Sequence, residues 1–398
     1  MLSLEIIGFL ITQYSDEIYN SRNDKKEKTL KKIIAHLTSA HKRYDTRIFI
    51  KMCSSLARNE NYSVNLVVAD GKGDEIKNSV KIIDAGAKTG DRLSRMTKTT
   101  KQVLKKALEL NADIYHFHDP ELLTIAKSLQ KTGAKVIFDS HEDVAEQILG
   151  KSYIPQLFRK AVSKAYKSYE NSICKNLDAI ITATPYINNN FLKINQNSIN
   201  INNYPILDEL MSDEQLQDKE NAVCYVGGMT EIRGVKEIVK AMEFCNVKLY
   251  LAGQFSPQTF GDEVRKLKGF EKVDELGFLD RVGVAQILAK SKAGLVTLHP
   301  INQYIHSLPI KMFEYMSASL PVIASNFSLW REIIEKNNCG ICVDPLNPEE
   351  IAKAINFILS NPQEAKMMGE NGRKAVENIY NWGIEEQKLL SVYKELLK

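Results

Sequence analysis

The sequence predicts an α/β chain built from two doubly wound, parallel-sheet lobes in tandem, and three observations lead there. Its 398 residues exceed one typical hydrophobic core and suit two. Short β-branched runs alternate with stretches of helical periodicity, the βαβα pattern of a parallel sheet covered by helices on both faces. That alternation runs twice, on either side of Asn202-Asn-Tyr-Pro205, where proline stiffens the turn and asparagine tolerates unusual backbone angles.

Residues 1–30 read as an appendage, a frayed helix or partly disordered, because 20–28 is polar and charged. In the first lobe, 31–205, strands are expected at 33–37, 64–68, 114–118, 135–139 and 179–182, and helices at 48–58, 98–110, 121–131 and 153–176. In the second, 206–380, strands are expected at 222–226, 248–251, 294–298 and 321–324, and helices at 235–244, 284–289, 311–317 and 349–360. The terminal segment, 381–398, holds an amphipathic stretch at 384–397 that can pack back on the first lobe. Cys339-Gly-Ile-Cys342 has C-x-x-C spacing, but it lies in an apolar run ending at Asp344-Pro345 and reads as a short buried strand.

Composition excludes several classes. Six cysteines in so long a chain do not make a disulfide framework. No apolar run approaches the ~20 residues of a membrane span. Residues 6–12, the best candidate, also lack the flanks of a secretory signal, so a cytoplasmic protein is expected. The net charge of +4 hides an asymmetry: residues 1–205 hold 31 Lys and Arg against 22 Asp and Glu, a net of +9. The remainder holds 22 against 27, a net of −5. A basic half points to an anionic partner such as lipid headgroups or a diphosphate-linked molecule. Nucleic acid ranks last, because no aromatic motif is interleaved with the basic residues.

Ligands of open parallel sheets bind beyond the carboxyl ends of strands, so the residues there are the first candidates for chemistry. Val223-Cys-Tyr-Val-Gly227-Gly228 runs from a strand into two glycines, followed by Arg233-Gly234 at a helix start. Glycines let a phosphate reach backbone amides, and a guanidinium beside them binds it in bidentate fashion. Farther on, an extended loop ends at Pro309 and a helix carries Lys311 and Glu314 on one face. A lysine at a helix start is disfavoured by the helix dipole unless an anion sits there.

These two segments resemble the nucleotide-binding lobe of family 4 glycosyltransferases, which have the two-Rossmann GT-B architecture facing a central cleft. The family pattern is V-G-R-L-x-x-x-K-G, then E-x7-E followed by A-x-A-x-G-x-P-V-I. Here Val226-Gly-Gly-Met stands for V-G-R-L, Arg233-Gly234 for K-G, and Glu314 for the second glutamate. The first glutamate falls on His306, a departure. Lys311 supplies the cation lost at Gly228. In the other lobe, His36-Leu-Thr-Ser-Ala-His41 with Asp45-Thr-Arg47, Tyr115-His-Phe-His118-Asp119, and Phe138-Asp-Ser-His141-Glu142 look like a bacterial, surface-polysaccharide subgroup of the same family.

The resemblance implies a nucleotide-sugar donor, a glycan or polyprenyl-diphosphate-linked acceptor, and transfer with retention in cell-surface polysaccharide biosynthesis. It implies no cofactor and no metal, and no carboxylate pair is arranged to hold Mg²⁺. His116, His118 and His141 are possible zinc donors by type, but their spacing does not establish the convergence zinc needs. His141, Arg233 and Lys311 are the implied catalytic residues. Gly227, Gly228, Gly277, Phe278, His306, Ser307, Leu308 and Glu314 are the implied donor contacts. The acceptor side falls to His41, Asp45, Arg47, His118, Asp119 and Glu142, with peripheral contact at the inner membrane face through the basic lobe. Two rivals share the fold: a sugar-nucleotide epimerase and, motivated by His306, a catalytically inert partner subunit.

Overall fold

The computed structural model describes residues 31–88, 95–151, 153–210 and 219–398. The extension expected over 1–30 lies outside the described residues. Two sheets organise the rest. The first runs β3-β4-β2-β1-β5-β6-β7-β8, with β1 Lys32–Thr38, β2 Tyr62–Val68, β3 Glu75–Lys77, β4 Val80–Asp84, β5 Ile114–Phe117, β6 Lys135–Ser140, β7 Ala179–Thr182 and β8 Ser198–Asn200. All its pairings are parallel except β3 with β4.

The second sheet is wholly parallel: β9 Ala222–Val226, β10 Lys248–Ala252, β11 Val273–Gly277, β12 Gly294–Val296, β13 Val322–Ser325 and β14 Gly340–Val343. Its order, β11-β10-β9-β12-β13-β14, is the doubly wound 3-2-1-4-5-6 arrangement, whose crevice opens where strand order reverses, at β9/β12. Each sheet buries an apolar core on both faces, which is why its strands read as continuous apolar runs.

Four differences from the sequence reading have local causes. The β3–β4 hairpin at the edge is polar outside and short, so it carries little apolar periodicity. β8 and β11 escape notice for the same reason, with three and five residues and mostly half-exposed side chains. Residues 121–131 split into a 3-10 turn, Pro120–Ile125, and a short helix, Ala126–Gln130. The amino end of the 153–176 helix starts later, at α1 Gln156–Cys174, after a separate helix, α2 Val144–Leu149. Cys339 is buried beside β14, where burial pushes its thiol up to about 12, well away from a reactive thiolate.

The chain crosses between lobes twice. At the first crossing, Tyr204 packs edge-on against Phe313 and Tyr380 of the second lobe. After Pro362–Asn378 the chain returns, and the helix Trp382–Leu396 lies against the first sheet. Trp382 Nε1 donates to Ser55 Oγ at 2.9 Å, and Tyr393 is buried among the strand histidines.

Candidate active site

A cleft of about 1250 Å³ separates the lobes, lined from both sides by residues at carboxyl ends of strands. From the second lobe come Gly227 and Gly228 after β9, Arg233, Phe278, and the 302–314 segment after β12. From the first come Asp45, Arg47, His141 and Glu142.

The decisive geometry is at the β9 turn. Gly227 has φ +133°, and a Cβ there would sit 2.7 Å from Lys311 Nζ and 4.0 Å from Arg233 Nη1. The two cations therefore bracket one point, reachable only because no side chain occupies it. Gly253, which the sequence reading missed, makes the same demand: a Cβ on it would lie 2.0 Å from Gly227 O. Lys311 Nζ is buried over the Tyr225 ring, 3.8 Å from its centroid, and has no hydrogen-bond partner among the described residues. Burial, reinforced by repulsion from Arg233, pushes its pKa down to about 7. An ammonium held dry beside a guanidinium is a site waiting for a counter-anion.

The amides divide. Gly227 N–H is spent on Ala252 O at 2.8 Å and Ser307 N–H on Tyr304 O at 3.0 Å. Both were expected to hold the donor through their backbone; the N–H groups of Gly228 and Leu308, by contrast, have no acceptor among the described residues. Glu314 accepts from Arg281 Nη1 at 2.8 Å through one oxygen, and Arg281 in turn holds Glu209. Arg281 was not foreseen; it follows Asp280, the cap of its helix, and an apolar-pattern search starts that helix three residues later. Gly277 sits behind the cleft wall, its carbonyl accepting from Gly253 N–H at 2.7 Å, while Phe278 beside it lines the cleft with its ring exposed. His306 stacks flat on Tyr186 of the first lobe, ring centroids 4.1 Å apart and 2° from parallel. Asn302 also reaches Glu146 across the cleft, at 3.3 Å.

The first lobe's wall is organised by Asp139, fully buried at the end of β6. Burial alone would raise its pKa, but Arg47 and the imidazoles of His141 and His118 outweigh that and hold it well below the usual carboxylate range. Arg47 grips it at 2.9 and 2.7 Å and gives its remaining nitrogen to Ile201 O. An ionised Asp139 only accepts, so the proton positions of the whole network follow. His141 donates from Nε2 at 2.8 Å, and His118 from Nδ1 at 3.0 Å. His118 Nε2 must then accept from His36 Nδ1 at 2.9 Å, and His36 Nε2 from Tyr393 O–H at 3.1 Å. Tyr393 accepts from His116 Nδ1 at 2.7 Å, which leaves His116 Nε2 as a bare acceptor; it is unbonded among the described residues. Burial lowers the pKa of His36, His116 and His118, keeping all three neutral as this chain requires.

Two histidine-containing groups bring ligand atoms within 4.8 Å: His36 with His116 and His118, and His118 with Asp139 and His141. In the first, two of the facing nitrogens already bond one another; in the second, Asp139 is committed to Arg47. These groups serve the hydrogen-bond chain, and its end at His141 is the cleft.

The structure keeps three of the acceptor-side residues, His41, His118 and Asp119, off the cleft lining and commits a fourth, Arg47, to Asp139. His118 and Asp119 are buried and absent from the cleft lining; they shape residues that reach it. Asp119 accepts from Thr38 Oγ1 at 2.7 Å and Ala40 N at 3.0 Å, tying down the loop after β1. It also pairs with His41 at 2.7 Å; burial opposes charge on that imidazole, but Asp119 outweighs it and raises the pKa. His41 itself is not among the lining residues. Arg47 lines the cleft but its charge belongs to Asp139. Asp45 lines it too, while capping the following helix through Arg47 N and Ile48 N. Lys51, also unforeseen, is buried with its pKa pushed down to about 7 by burial and donates to Asn203 Oδ1 at the crossing, 2.7 Å away.

Comparison with known proteins places this architecture. Residues 46–200 match the model described as Glycosyltransferase Family 4, and residues 208–375 the model described as Glycosyl transferases group 1. The chain belongs to the family 4, group 1 glycosyltransferases of the GT-B fold. An uncharacterized glycosyltransferase of Methanocaldococcus jannaschii is 28% identical over 184 residues, 45% of this chain and 46% of that one. The first curated relatives are matched over 46%, 52% and 64% of their own length, so the chain spans about half to two thirds of each. Among solved structures, sucrose-phosphate synthase from Thermosynechococcus elongatus superposes with a TM-score of 0.75 at 19% identity, covering 92% of this chain and 99% of that one. Anabaena HepE in complex with UDP superposes with a TM-score of 0.70 at 12% identity, covering 92% and 100%. Both likenesses are of fold.

Proposed function

We propose that this glycosyltransferase moves a hexosyl group from a nucleoside-diphosphate sugar to a hydroxyl of a glycan or polyprenyl-diphosphate-linked acceptor, with retention of anomeric configuration. The observation that carries the reading is the pair of cations, Lys311 and Arg233, converging on the bare backbone of Gly227. As the acceptor oxygen bonds to the anomeric carbon, the bond from that carbon to the diphosphate breaks and its electron pair leaves with the phosphate oxygen. Retention follows when the acceptor enters on the face the diphosphate leaves, and the acceptor proton then passes to the departing oxygen. Fixed cations at that oxygen stabilise the transition state without a metal ion.

Phe278 is positioned to cover the base, Glu314 to accept from the ribose through its free oxygen, and His141 to bond a sugar hydroxyl through Nδ1, since Nε2 is given to Asp139. His306 takes the sequence position of the family's first glutamate and is stacked on Tyr186. That arrangement favours donor-sugar binding over covalent chemistry. The resemblance to surface-polysaccharide enzymes supports a place at the cytoplasmic side of the membrane.

A melting screen against UDP-, GDP- and dTDP-sugars tests the reading. One nucleotide class should raise Tm in the natural protein and lose that effect in Lys311→Ala. Silence across the whole panel would contradict it, and epimer formed from donor alone would move the assignment to the rival enzyme class.

A further inference from the structure

Glu314 is held at one end only. Buried on the helix Ile310–Ser317, it accepts from Arg281 Nη1 at 2.8 Å through Oε1, and Oε2 has no hydrogen bond among the described residues. A carboxylate turns readily about its last bond, so the anchored oxygen decides where the other points. The anchor is itself locked. Arg281 gives Nε and Nη2 to the two oxygens of Glu209, at 2.9 and 2.8 Å, and this bidentate grip fixes the plane of the guanidinium and hence the direction of Nη1. All three nitrogens are spent on carboxylates, so Arg281 offers no third free cation beside Arg233 and Lys311. Glu209 lies in the turn after the lobe crossing and is not among the cleft-lining residues, whereas Arg281 and Glu314 are. The same crossing braces the helix a second time, where Tyr204 packs on Phe313, the neighbour of Glu314, with ring centroids 4.7 Å apart.

We propose that Arg281, braced by Glu209, is a positioning residue for the donor: it holds Glu314 with Oε2 turned to the ribose hydroxyls and so makes the site select a ribose over a deoxyribose. The inference rests on the reading of Glu314 as the ribose contact. Its physical content is preorganisation. A carboxylate already turned to the hydroxyls accepts from them without losing rotational freedom on binding, and a hydrogen bond to a charged acceptor is worth more than one to a neutral acceptor. A deoxyribose leaves that oxygen facing no donor, so the anchored carboxylate rejects it. Freed from Arg281, the carboxylate swings away, and a missing hydroxyl costs little. An Arg281 that touched the phosphates instead would, when replaced, weaken ribose and deoxyribose nucleotides alike.

The test is calorimetric titration of the full chain with UDP and GDP against their 2′-deoxy and 3′-deoxy counterparts. For the nucleotide that binds, the ribose form should bind at least about tenfold tighter than one of the deoxy forms. Glu314→Ala, which removes the carboxylate, should bring that ratio close to unity. Arg281→Gln and Glu209→Ala should each cut it to about twofold, with the deoxy form bound as in the natural protein. Arg281→Lys should not restore it, since an ammonium cannot fix the plane of the grip. Glu209 is off the cleft lining, so its effect travels through Arg281. A general loss of fold would lower both affinities together and leave the ratio unchanged. A ratio retained in Arg281→Gln or Glu209→Ala, or equal weakening of ribose and deoxy forms, would overturn the proposal while a ratio lost in Glu314→Ala still upholds the ribose contact. Equal binding of both forms to the natural protein, or binding of neither nucleotide, would instead remove Glu314 from the donor contacts and the proposal with it.

Discussion

The two walls of the cleft treat charge in opposite ways. On the first lobe, Asp139 is matched by Arg47 and Asp119 by His41, each fixed by several bonds, and the buried amine of Lys51 still donates to Asn203 Oδ1. On the second, Lys311 is buried with no hydrogen-bond partner among the described residues, and Arg233 faces the same glycine turn. A buried charge without a partner is costly and persists where a ligand completes it. Under the proposed function, the difference gives the anionic part of the substrate to the second lobe and its uncharged hydroxyls to the first.

The strongest challenge to this contrast is Asp139→Asn. It strands the Arg47 guanidinium in a dry site and should cost about 3–5 kcal/mol in urea unfolding. A loss below about 1 kcal/mol would show that the first lobe's charges are not interdependent. Next in size, Arg233→Ala and Lys311→Ala should each lower kcat/KM by the equivalent of about 2–4 kcal/mol. Their effects should be non-additive, because they share one diphosphate. Near-normal kinetics in both would remove them from the site.

The comparison sharpens in the absence of ligand. Lys311→Met should raise Tm by a few degrees, about 1–2 kcal/mol, because the buried ammonium is gone, whereas Arg47→Met should lower it. The sign with pH follows. Lys311 titrates near 7 when folded and near its ordinary 10.5 when unfolded, so between those values the unfolded state binds the extra proton. The penalty grows as pH falls from about 10.5 toward 7, and the Tm advantage of Lys311→Met over the natural protein should shrink as pH rises through that window. A constant difference would place the ammonium in water. The smallest effect is expected from Tyr186→Ala, which removes the stack on His306 and should cost about 0.5–1.5 kcal/mol in kcat/KM with nucleotide affinity unchanged.

What the sequence made legible were features with a local signature. The 3-2-1-4-5-6 lobe was readable because its central strands are continuous apolar runs, and β9 with Gly227 and Gly228 because the turn chemistry is written in adjacent residues. Convergence of Lys311 and Arg233, 78 positions apart, followed from motif order, and its physical reason, the open face of Gly227, needed coordinates. Position along the chain could not show which charges are spent: Arg47 and Asp119 look free as residues, and only the long-range pairing with Asp139 and the 38–41 loop reveals their commitments. Tyr393 reaching His116 and His36 from the carboxy-terminal helix, and Arg281 reaching Glu314, are likewise contacts between distant segments.

The central claim is tested most directly by proton uptake on nucleotide binding. Calorimetric titration at pH 8 with UDP and GDP in parallel, in buffers of differing ionisation enthalpy, counts protons taken up. Lys311 is mostly neutral in the free protein at that pH and must charge to meet the diphosphate, so uptake should approach about one proton with the nucleotide that binds, and vanish in Lys311→Met. Tight binding with no proton uptake, unchanged by that substitution, would contradict the account.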